Sequence, residues 1–157
     1  MKCPFCDKSV LKAAFAESKN FIAVYNLAPI LPGHSLIVPK RHIESILVLT
    51  ENEISEMMIF SRKVTSLLLK VFNAEAFDWS VQDQEAAGQT IPHLHMHIVP
   101  RFEGDLKNPG DWYPEIRGNN KELLDSFQRN KLSSDEMEQI ISKLRYTSAM
   151  EDLYQTK

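Results

Sequence analysis

Cysteine, glycine and surplus positive charge are all scarce in this chain. Its 157 residues include two cysteines and five glycines, and 18 Lys and Arg face 21 Asp and Glu, for a formal net charge of −3. So few cysteines exclude a small domain stapled by disulfides. Without a positive excess there is no global field to hold a long nucleic acid, so any anionic ligand must be met locally. The length and the 43% hydrophobic content suit one domain with its own core.

Long apolar runs are missing as well. The longest uncharged stretch, residues 21–39, is interrupted by asparagine, proline, glycine and histidine, whereas a spanning helix needs about 20 apolar residues. Charged residues also stand near the start of the chain, where a signal peptide would need its apolar segment. We therefore expect no membrane segment and a cytoplasmic location.

The distribution of apolar residues predicts an α+β domain with a mainly antiparallel sheet. Residues 21–27 and 34–38 are short β-branched and aromatic runs separated by prolines and a glycine, which predicts two adjacent antiparallel strands. Residues 50–73 begin with a capping box and continue with apolar residues at helical spacing, which predicts a long helix. The alternating segments 77–82 and 93–99 predict two further strands.

The composition changes after residue 101. Residues 103–120 contain three glycines and two prolines and predict a long loop. Two helices are expected within 121–147, the second opened by Ser133 and Glu136. The chain is thus predicted to be a single domain whose core spans 1–102.

Three of the five histidines occupy the alternate positions 93, 95 and 97. Side chains of a strand alternate between faces, so the three imidazoles should share one face while Leu94 and Met96 enter the core. Such a row fits a solvent-facing polar strand, or a site where imidazoles two residues apart ligate one zinc ion. It also fits nucleophilic chemistry, because a neutral imidazole, whose pKa is ordinarily about 6.5, can attack phosphorus at physiological pH.

The sequence around these histidines resembles the histidine triad superfamily, whose motif alternates histidine with apolar residues. The preceding Gln82-Asp83 and Ala87-Gly88-Gln89-Thr90 are similar to the fragile histidine triad branch, a group of dinucleoside polyphosphate hydrolases. Asn26 and Pro32-Gly33-His34 match the first nucleotide-binding strand and loop of that branch. The resemblance covers roughly residues 3–101 and implies a five-stranded sheet and a homodimer.

The resemblance implies a role for each matching side chain. His95 matches the nucleophile that forms a covalent nucleotidyl-histidine, His97 the residue that hydrogen-bonds the attacked phosphate, and His34 a distal histidine that supports them. Gln82 and Gln89 match side chains that contact the phosphates and the leaving-group oxygen.

Further contacts are implied for Asn26, at the ribose, and for Thr90, near the phosphates. Tyr113 matches a tyrosine on a mobile loop, so it and Trp112 are expected either to cover the substrate or to anchor their own loop. The implied activity is hydrolysis of dinucleoside polyphosphates, such as diadenosine tri- or tetraphosphate, at the α-phosphate. Two alternatives stay open: a purine nucleoside phosphoramidase and a non-catalytic nucleotide-binding signalling module.

Cys3 and Cys6 form a Cys-x-x-Cys pair, a spacing that favours metal binding or redox chemistry in a reducing compartment. Some bacterial histidine triad proteins use such a pair, a histidine at the place of His42, and the first triad histidine as zinc ligands. The resemblance therefore implies a closed, structural zinc site made by Cys3, Cys6, His42 and His93. The fragile histidine triad branch generally lacks these cysteines, so this sequence combines features of two branches.

Overall fold

The computed structural model describes residues 3–108 and 130–155. Within them lies one five-stranded sheet, with neighbouring strands antiparallel in the order β1-β2-β3-β5-β4. The strands are β1 (Ala14–Glu17), β2 (Phe21–Tyr25), β3 (Ser35–Pro39), β4 (Ala76–Val81) and β5 (Met96–Arg101), and the long helices are α1 (Glu51–Phe72) and α2 (Ser134–Gln155). Short 3-10 turns occupy Pro4–Cys6, Lys8–Lys12, Ile46–Val48 and Glu85–Ala87. The α+β, antiparallel prediction is confirmed.

The two faces of the sheet are covered differently. Alternate residues of β2, such as Phe21 and Tyr25, belong to the main core together with the buried faces of α1 and α2. The residues between them belong to a smaller apolar cluster on the other face, formed by Ile22, Val24, Leu36 and Val38. The histidines belong to this second face.

The predicted helix over 50–73 is confirmed as α1 with its two caps. The Thr50 hydroxyl accepts from the backbone N–H of Glu53, and the Glu53 carboxylate accepts from the backbone N–H of Thr50. Asn73 ends the helix in the left-handed conformation, with φ of 53°. Met57 and Leu68 are buried against the sheet, and each such side chain contributes about 1.5–3 kcal/mol.

The first predicted pair of strands is also confirmed, with β2 two residues shorter than predicted and β3 shifted by one residue. β2 and β3 pair from Phe21 opposite Pro39 to Tyr25 opposite Ser35. β2 ends before residue 27 because the Asn26 side chain turns back, its Oδ1 accepting from the N–H of Ala28 at 2.9 Å. The Asn26 N–H still donates to the His34 carbonyl at 3.0 Å, and beyond that bond the side-chain turn leads the chain away from β3.

β1 did not emerge from the sequence pattern. Its residues, Ala-Phe-Ala-Glu, contain no β-branched side chain, and intrinsic preference alone does not favour a strand there. Its extended conformation follows from pairing with β2, from Ala14 opposite Val24 to Glu17 opposite Ile22, through an irregular register.

The strand predicted over 93–99 begins only at Met96, so that boundary was wrong. The N–H of His93 closes a tight turn onto the Ile91 carbonyl at 2.7 Å. The His93 ring Nε2 donates to the carbonyl of Pro39, the last residue of β3, at 3.0 Å. The Leu94 N–H donates to the Ile43 carbonyl at 2.6 Å instead of to β3, so the ladder ends at Met96. The predicted alternation nevertheless holds, since Leu94, Met96 and Ile98 all lie in the main core.

α2 opens as predicted, because Ser133 and Glu136 form reciprocal hydrogen bonds across the first turn. Met137, Ile141 and Leu144 are buried. The helix continues to Gln155, beyond its predicted end at residue 147. The added segment is rich in residues that favour helix.

Most of the predicted loop over 103–120, with Trp112 and Tyr113, and the first predicted C-terminal helix lie outside the described residues. Among the described helices, none is both long and apolar enough to cross a membrane.

Gly33 allows a test of the packing next to His34. Its φ is +88°, and a Cβ there would meet the Pro100 ring at 2.7 Å and the Phe72 ring at 3.1 Å. Gly104 has a similar φ of +74° with nothing within 4 Å. We expect Gly104→Ala to lose roughly 1–2 kcal/mol of unfolding free energy, because a side chain disfavours the left-handed backbone conformation. Gly33→Ala should lose about 1–3 kcal/mol more, because its Cβ would also clash with the two rings. Denaturant unfolding of both variants measures the difference; equal losses would contradict the packing described here.

Candidate active site and metal centre

A cavity of about 890 Å³ opens beside the histidine row. His95 and His97 lie in its wall together with Gln82, Asn26 and Thr90. Apolar side chains from the N-terminal segment and from the second face of the sheet line another part of it, namely Phe5, Val10, Val24 and Leu36. The cavity thus combines a polar end, suited to phosphates, with an apolar wall, suited to a base.

His95 has a defined tautomer. Its ring Nδ1 lies 2.8 Å from the His93 carbonyl oxygen, so Nδ1 carries the proton and donates it, and Nε2 keeps a lone pair. The residue is only 6% exposed. Burial lowers the pKa of His95 below its ordinary value, an effect that the bond to the His93 carbonyl partly opposes. A neutral imidazole with a free electron pair on Nε2 is the form required of a nucleophile.

A hydrogen bond between the rings of His34 and His97 links their tautomers. The backbone N–H of Ile30 donates to His34 Nδ1 at 3.2 Å, so the His34 proton resides on Nε2. That Nε2 lies 2.9 Å from His97 Nδ1 and donates to it, which leaves the His97 proton on Nε2. His97 is therefore oriented as a hydrogen-bond donor, held by a fully buried His34.

Gln82 and Asn26 both lie in the cavity wall. The Gln82 amide Nε2 donates to the Ser80 hydroxyl, one strand position before the end of β4. Asn26 is fixed by its bond to Ala28 N–H and lies next to His34. Thr90 also lines the cavity, beside Gly88.

Gln89 lies elsewhere. Its Nε2 donates to the Glu44 carbonyl at 2.9 Å, and its Oε1 accepts from the N–H of Gln84 at 2.8 Å. Gln89 is not among the described residues that line the cavity. In this conformation its amide holds the loop after β4 in shape, including Gln84 at φ 75° and ψ 163°, a backbone region that costs energy for any residue but glycine.

Cys3, Cys6, His42 and His93 come together although the first and last are 90 residues apart. Their donor atoms all lie within 4.8 Å of one another. Cys3 Sγ is 3.4 Å and Cys6 Sγ 3.6 Å from His93 Nδ1, and Cys6 Sγ is 3.3 Å from His42 Nδ1.

The chemistry of this group fits a metal ion. His93 Nε2 donates to the Pro39 carbonyl, which leaves Nδ1 with its lone pair facing the two thiols. Metal-bound histidines commonly donate their other ring nitrogen to a carbonyl in this way. Two sulfurs and two imidazole nitrogens form a donor set that can hold a metal ion with no position left over in a tetrahedral arrangement.

Comparisons with known proteins agree with this geometry. The model of the HIT domain family matches residues 8–104. The chain belongs to the HIT domain family. It is 39% identical over 113 residues to the bis(5′-nucleosyl)-tetraphosphatase [asymmetrical] of Schizosaccharomyces pombe, a match covering 72% of this chain and 62% of that protein. It is 35% identical over 131 residues to the bis(5′-adenosyl)-triphosphatase of Dictyostelium discoideum, covering 83% and 82% of the two chains.

A solved structure extends the likeness to the fold. The histidine triad nucleotide-binding protein of Sulfolobus tokodaii, described as hypothetical, superposes with a TM-score of 0.69 at 25% identity, covering 92% of this chain and 91% of that one. The predicted family is therefore confirmed for this HIT protein.

Three cations near the motifs of this HIT protein are engaged by acidic groups. Arg101 donates to both oxygens of Asp105 and to Asp78. Arg41 binds the two oxygens of Glu53, and Lys40 lies 2.8 Å from Glu17. These ion pairs fasten loops to the sheet and to α1.

Sequence reasoning missed two residues that the fold brings to the site. Asp83 accepts from the Ser45 hydroxyl and from the N–H of Ile46, and so joins the loop after β4 to the segment that follows His42. Phe5 contacts the rings of both His93 and His95. A signal for Phe5 was available, since it stands inside the Cys-x-x-Cys motif.

The ring protonation is open to direct measurement. We expect nitrogen-detected NMR to find His95 neutral and protonated on Nδ1 at pH 7. Because burial lowers its pKa, the ring should take up its second proton only below about pH 6.5, its ordinary value. Protonation of His95 above that pH, or a proton on Nε2 of the neutral ring, would contradict the arrangement.

Proposed function

We propose that this HIT protein hydrolyses dinucleoside polyphosphates of the diadenosine tri- or tetraphosphate type at the α-phosphorus, through a nucleotidyl-His95 intermediate. The observation that carries the proposal is the His95 tautomer: the His93 carbonyl holds the proton on Nδ1, and the ring lines a cavity of nucleotide size.

The reaction would proceed in two displacements. In the first, the Nε2 lone pair of His95 attacks the α-phosphorus, an N–P bond forms, and the bond from phosphorus to the bridging oxygen breaks. The second nucleotide leaves with that oxygen. In the second displacement a water oxygen attacks the same phosphorus, the N–P bond breaks, and a nucleoside monophosphate is released while neutral His95 is restored.

The neighbouring groups would stabilise the crowded, charged transition state. His97 carries a proton on Nε2 because His34 donates to its Nδ1, so it can donate to a non-bridging oxygen of the phosphate. Gln82 and Thr90 lie in the same wall and supply further donors. Asn26 would contact the ribose. Gln89 would reach the leaving-group oxygen only after releasing the Glu44 carbonyl.

The relatives support the substrate class. The Dictyostelium protein is a bis(5′-adenosyl)-triphosphatase, and the match spans most of both chains. The fission yeast protein is a tetraphosphatase, of whose length this chain spans 62%. Both names describe cleavage of two nucleosides joined by a polyphosphate chain.

Replacing His95 and His97 one at a time should distinguish the nucleophile from a residue that stabilises the transition state. We expect His95→Ala to abolish turnover of diadenosine triphosphate and the trapped nucleotidyl adduct while AMP still binds, because only the nucleophile is lost. His97→Ala should retain slow turnover, reduced about 10²–10³-fold, as for the loss of one transition-state donor. Steady-state rates and intact-protein mass spectrometry measure both effects.

The same assay discriminates the alternatives. Undiminished turnover by His95→Ala would remove His95 from the nucleophile position. Wild-type protein that cleaves adenosine 5′-phosphoramidate much faster than any dinucleotide would favour the phosphoramidase. AMP binding without turnover of either class would favour a nucleotide-binding module.

For the metal centre, we propose a structural Zn²⁺ held by Cys3, Cys6, His42 and His93. Two thiols and two imidazoles suit zinc, and thiol ligands stay reduced in the cytoplasm, where we expect the protein. Bound zinc would tie the N-terminal turn to the segments carrying His42 and His93. Hydrolysis would not pass through it.

Removing the thiols tests the metal centre. We expect about one zinc ion per chain in the purified protein, and loss of that zinc with a lower melting temperature in Cys3→Ser/Cys6→Ser, since metal binding is coupled to folding. His95→Ala is the matched control and should keep its zinc. Retention of zinc by the double serine variant, measured by elemental analysis, would overturn the ligand set.

A homodimer is the assembly we propose. β4 forms one edge of the described sheet, and Phe77 on it is 44% exposed. The outer surface of α1 exposes Ile54, Met58 and Ile59. An unpaired strand edge beside apolar side chains favours pairing with a second copy.

A further inference from the structure

Phe5 lies between the metal centre and the nucleophile. Its ring centroid is 5.6 Å from that of His93, in an edge-to-face arrangement at 79°, and 5.3 Å from that of His95 at 52°. His93 belongs to the metal group and His95 is the nucleophile of the proposed reaction. One side chain thus contacts both.

Two rings pack against His95. Besides Phe5, the His97 ring lies 5.1 Å from it at 70°. The bond from Nδ1 to the His93 carbonyl fixes one point of the ring, and the flanking rings limit its tilt and cover it from solvent. Phe5 also belongs to the wall of the cavity, so its position shapes the space next to His95.

The Phe5 side chain packs on the apolar cluster of the second face, and its backbone is held by its neighbours in sequence. It is the middle residue of the turn Pro4–Cys6, none of whose residues is buried. In the described part of the chain, the hydrogen bonds that join residues 3–6 to distant residues are those of the two thiols to His42 and His93. Thiols are weak hydrogen-bonding groups. A metal ion bound by both sulfurs would fix Cys3, two residues before Phe5, and Cys6, the residue after it.

We infer that Phe5 is a positioning residue that couples the metal centre to His95: metal binding holds the Phe5 ring against the nucleophile, and metal loss releases it. The coupling is a property of the folded chain, whereas its effect on hydrolysis rests on the proposed function. Linkage between two sites is reciprocal. Loss of the contact between Phe5 and His95 should therefore weaken metal binding by the same factor by which metal binding strengthens that contact.

A chemical probe measures the coupling without any substrate. Diethyl pyrocarbonate acylates an unprotonated imidazole nitrogen, and mass spectrometry of the modified peptides gives the rate at His95 itself. Four samples are compared under reducing conditions: wild type and Phe5→Ala, each loaded with one equivalent of Zn²⁺ and each stripped by a chelator. Ile22→Val is the matched control, because Ile22 belongs to the apolar cluster on which Phe5 packs and is not among the described residues that line the cavity.

In the zinc-loaded proteins we expect Phe5→Ala to raise the His95 acylation rate about three- to tenfold, the range that loss of one aromatic pair gives. Stripping zinc from the wild type should raise it similarly, and stripping zinc from Phe5→Ala should add little. Phe5→Leu should restore most of the protection, because an apolar side chain still covers the ring. Ile22→Val should behave as wild type in both states.

Other outcomes overturn the inference. An unchanged rate in loaded Phe5→Ala would remove Phe5 from contact with the nucleophile. If zinc removal and Phe5→Ala each raise the His95 acylation rate and their effects multiply when combined, the two changes act independently and the coupling is absent. Since the probe needs no turnover, a protein that fails to hydrolyse dinucleotides still gives a result. If the coupling is present and hydrolysis occurs, the rate of adduct formation should fall in parallel in loaded Phe5→Ala and in stripped wild type.

Discussion

The alternation of side chains along residues 93–98 is the constraint on which the site depends. Leu94 and Ile98 are both fully buried in the main core, and burial of each contributes about 1.5–3 kcal/mol. A shift by one residue would turn these side chains to the other face and force imidazoles into apolar surroundings. The same interactions that stabilise the core therefore fix the direction in which the histidines point.

Main-chain groups select the tautomers of three of the five histidines. The Ile30 N–H acts on His34, the His93 carbonyl on His95, and the Pro39 carbonyl on His93. Backbone donors and acceptors do not titrate, so the tautomers they select do not depend on the charge of a neighbouring acid. The carboxylates of Asp78, Asp105 and Glu53 are instead paired with arginines, away from the imidazoles.

The metal centre and the nucleophile share one short piece of chain. His93 contributes its side chain to the metal group and its carbonyl to His95. The thiols that face it come from the first turn of the protein, and His42 from the segment after β3. Such donors, distant in sequence, meet only after the sheet has formed, so a metal bound there would stabilise the folded state and the site together.

The sequence alone determined the features that depend on local pattern. The capping boxes at Thr50 and Ser133 gave the starts of α1 and α2, the alternation at 93–98 gave the buried face, and the motif around it gave the family. These signals lie within a few residues of one another, where chain geometry is fixed by bond rotation and side-chain period. Only the tertiary structure decided the rest.

β1 exists because β2 supplies its partners, and β5 starts at Met96 because the Leu94 N–H donates to the Ile43 carbonyl instead of to β3. The engagement of Gln89 by the Glu44 carbonyl and the place of Phe5 between two histidines were equally beyond local pattern. Each of these depends on contacts between residues far apart in the chain, and the energy of such contacts is settled only when the whole core has packed.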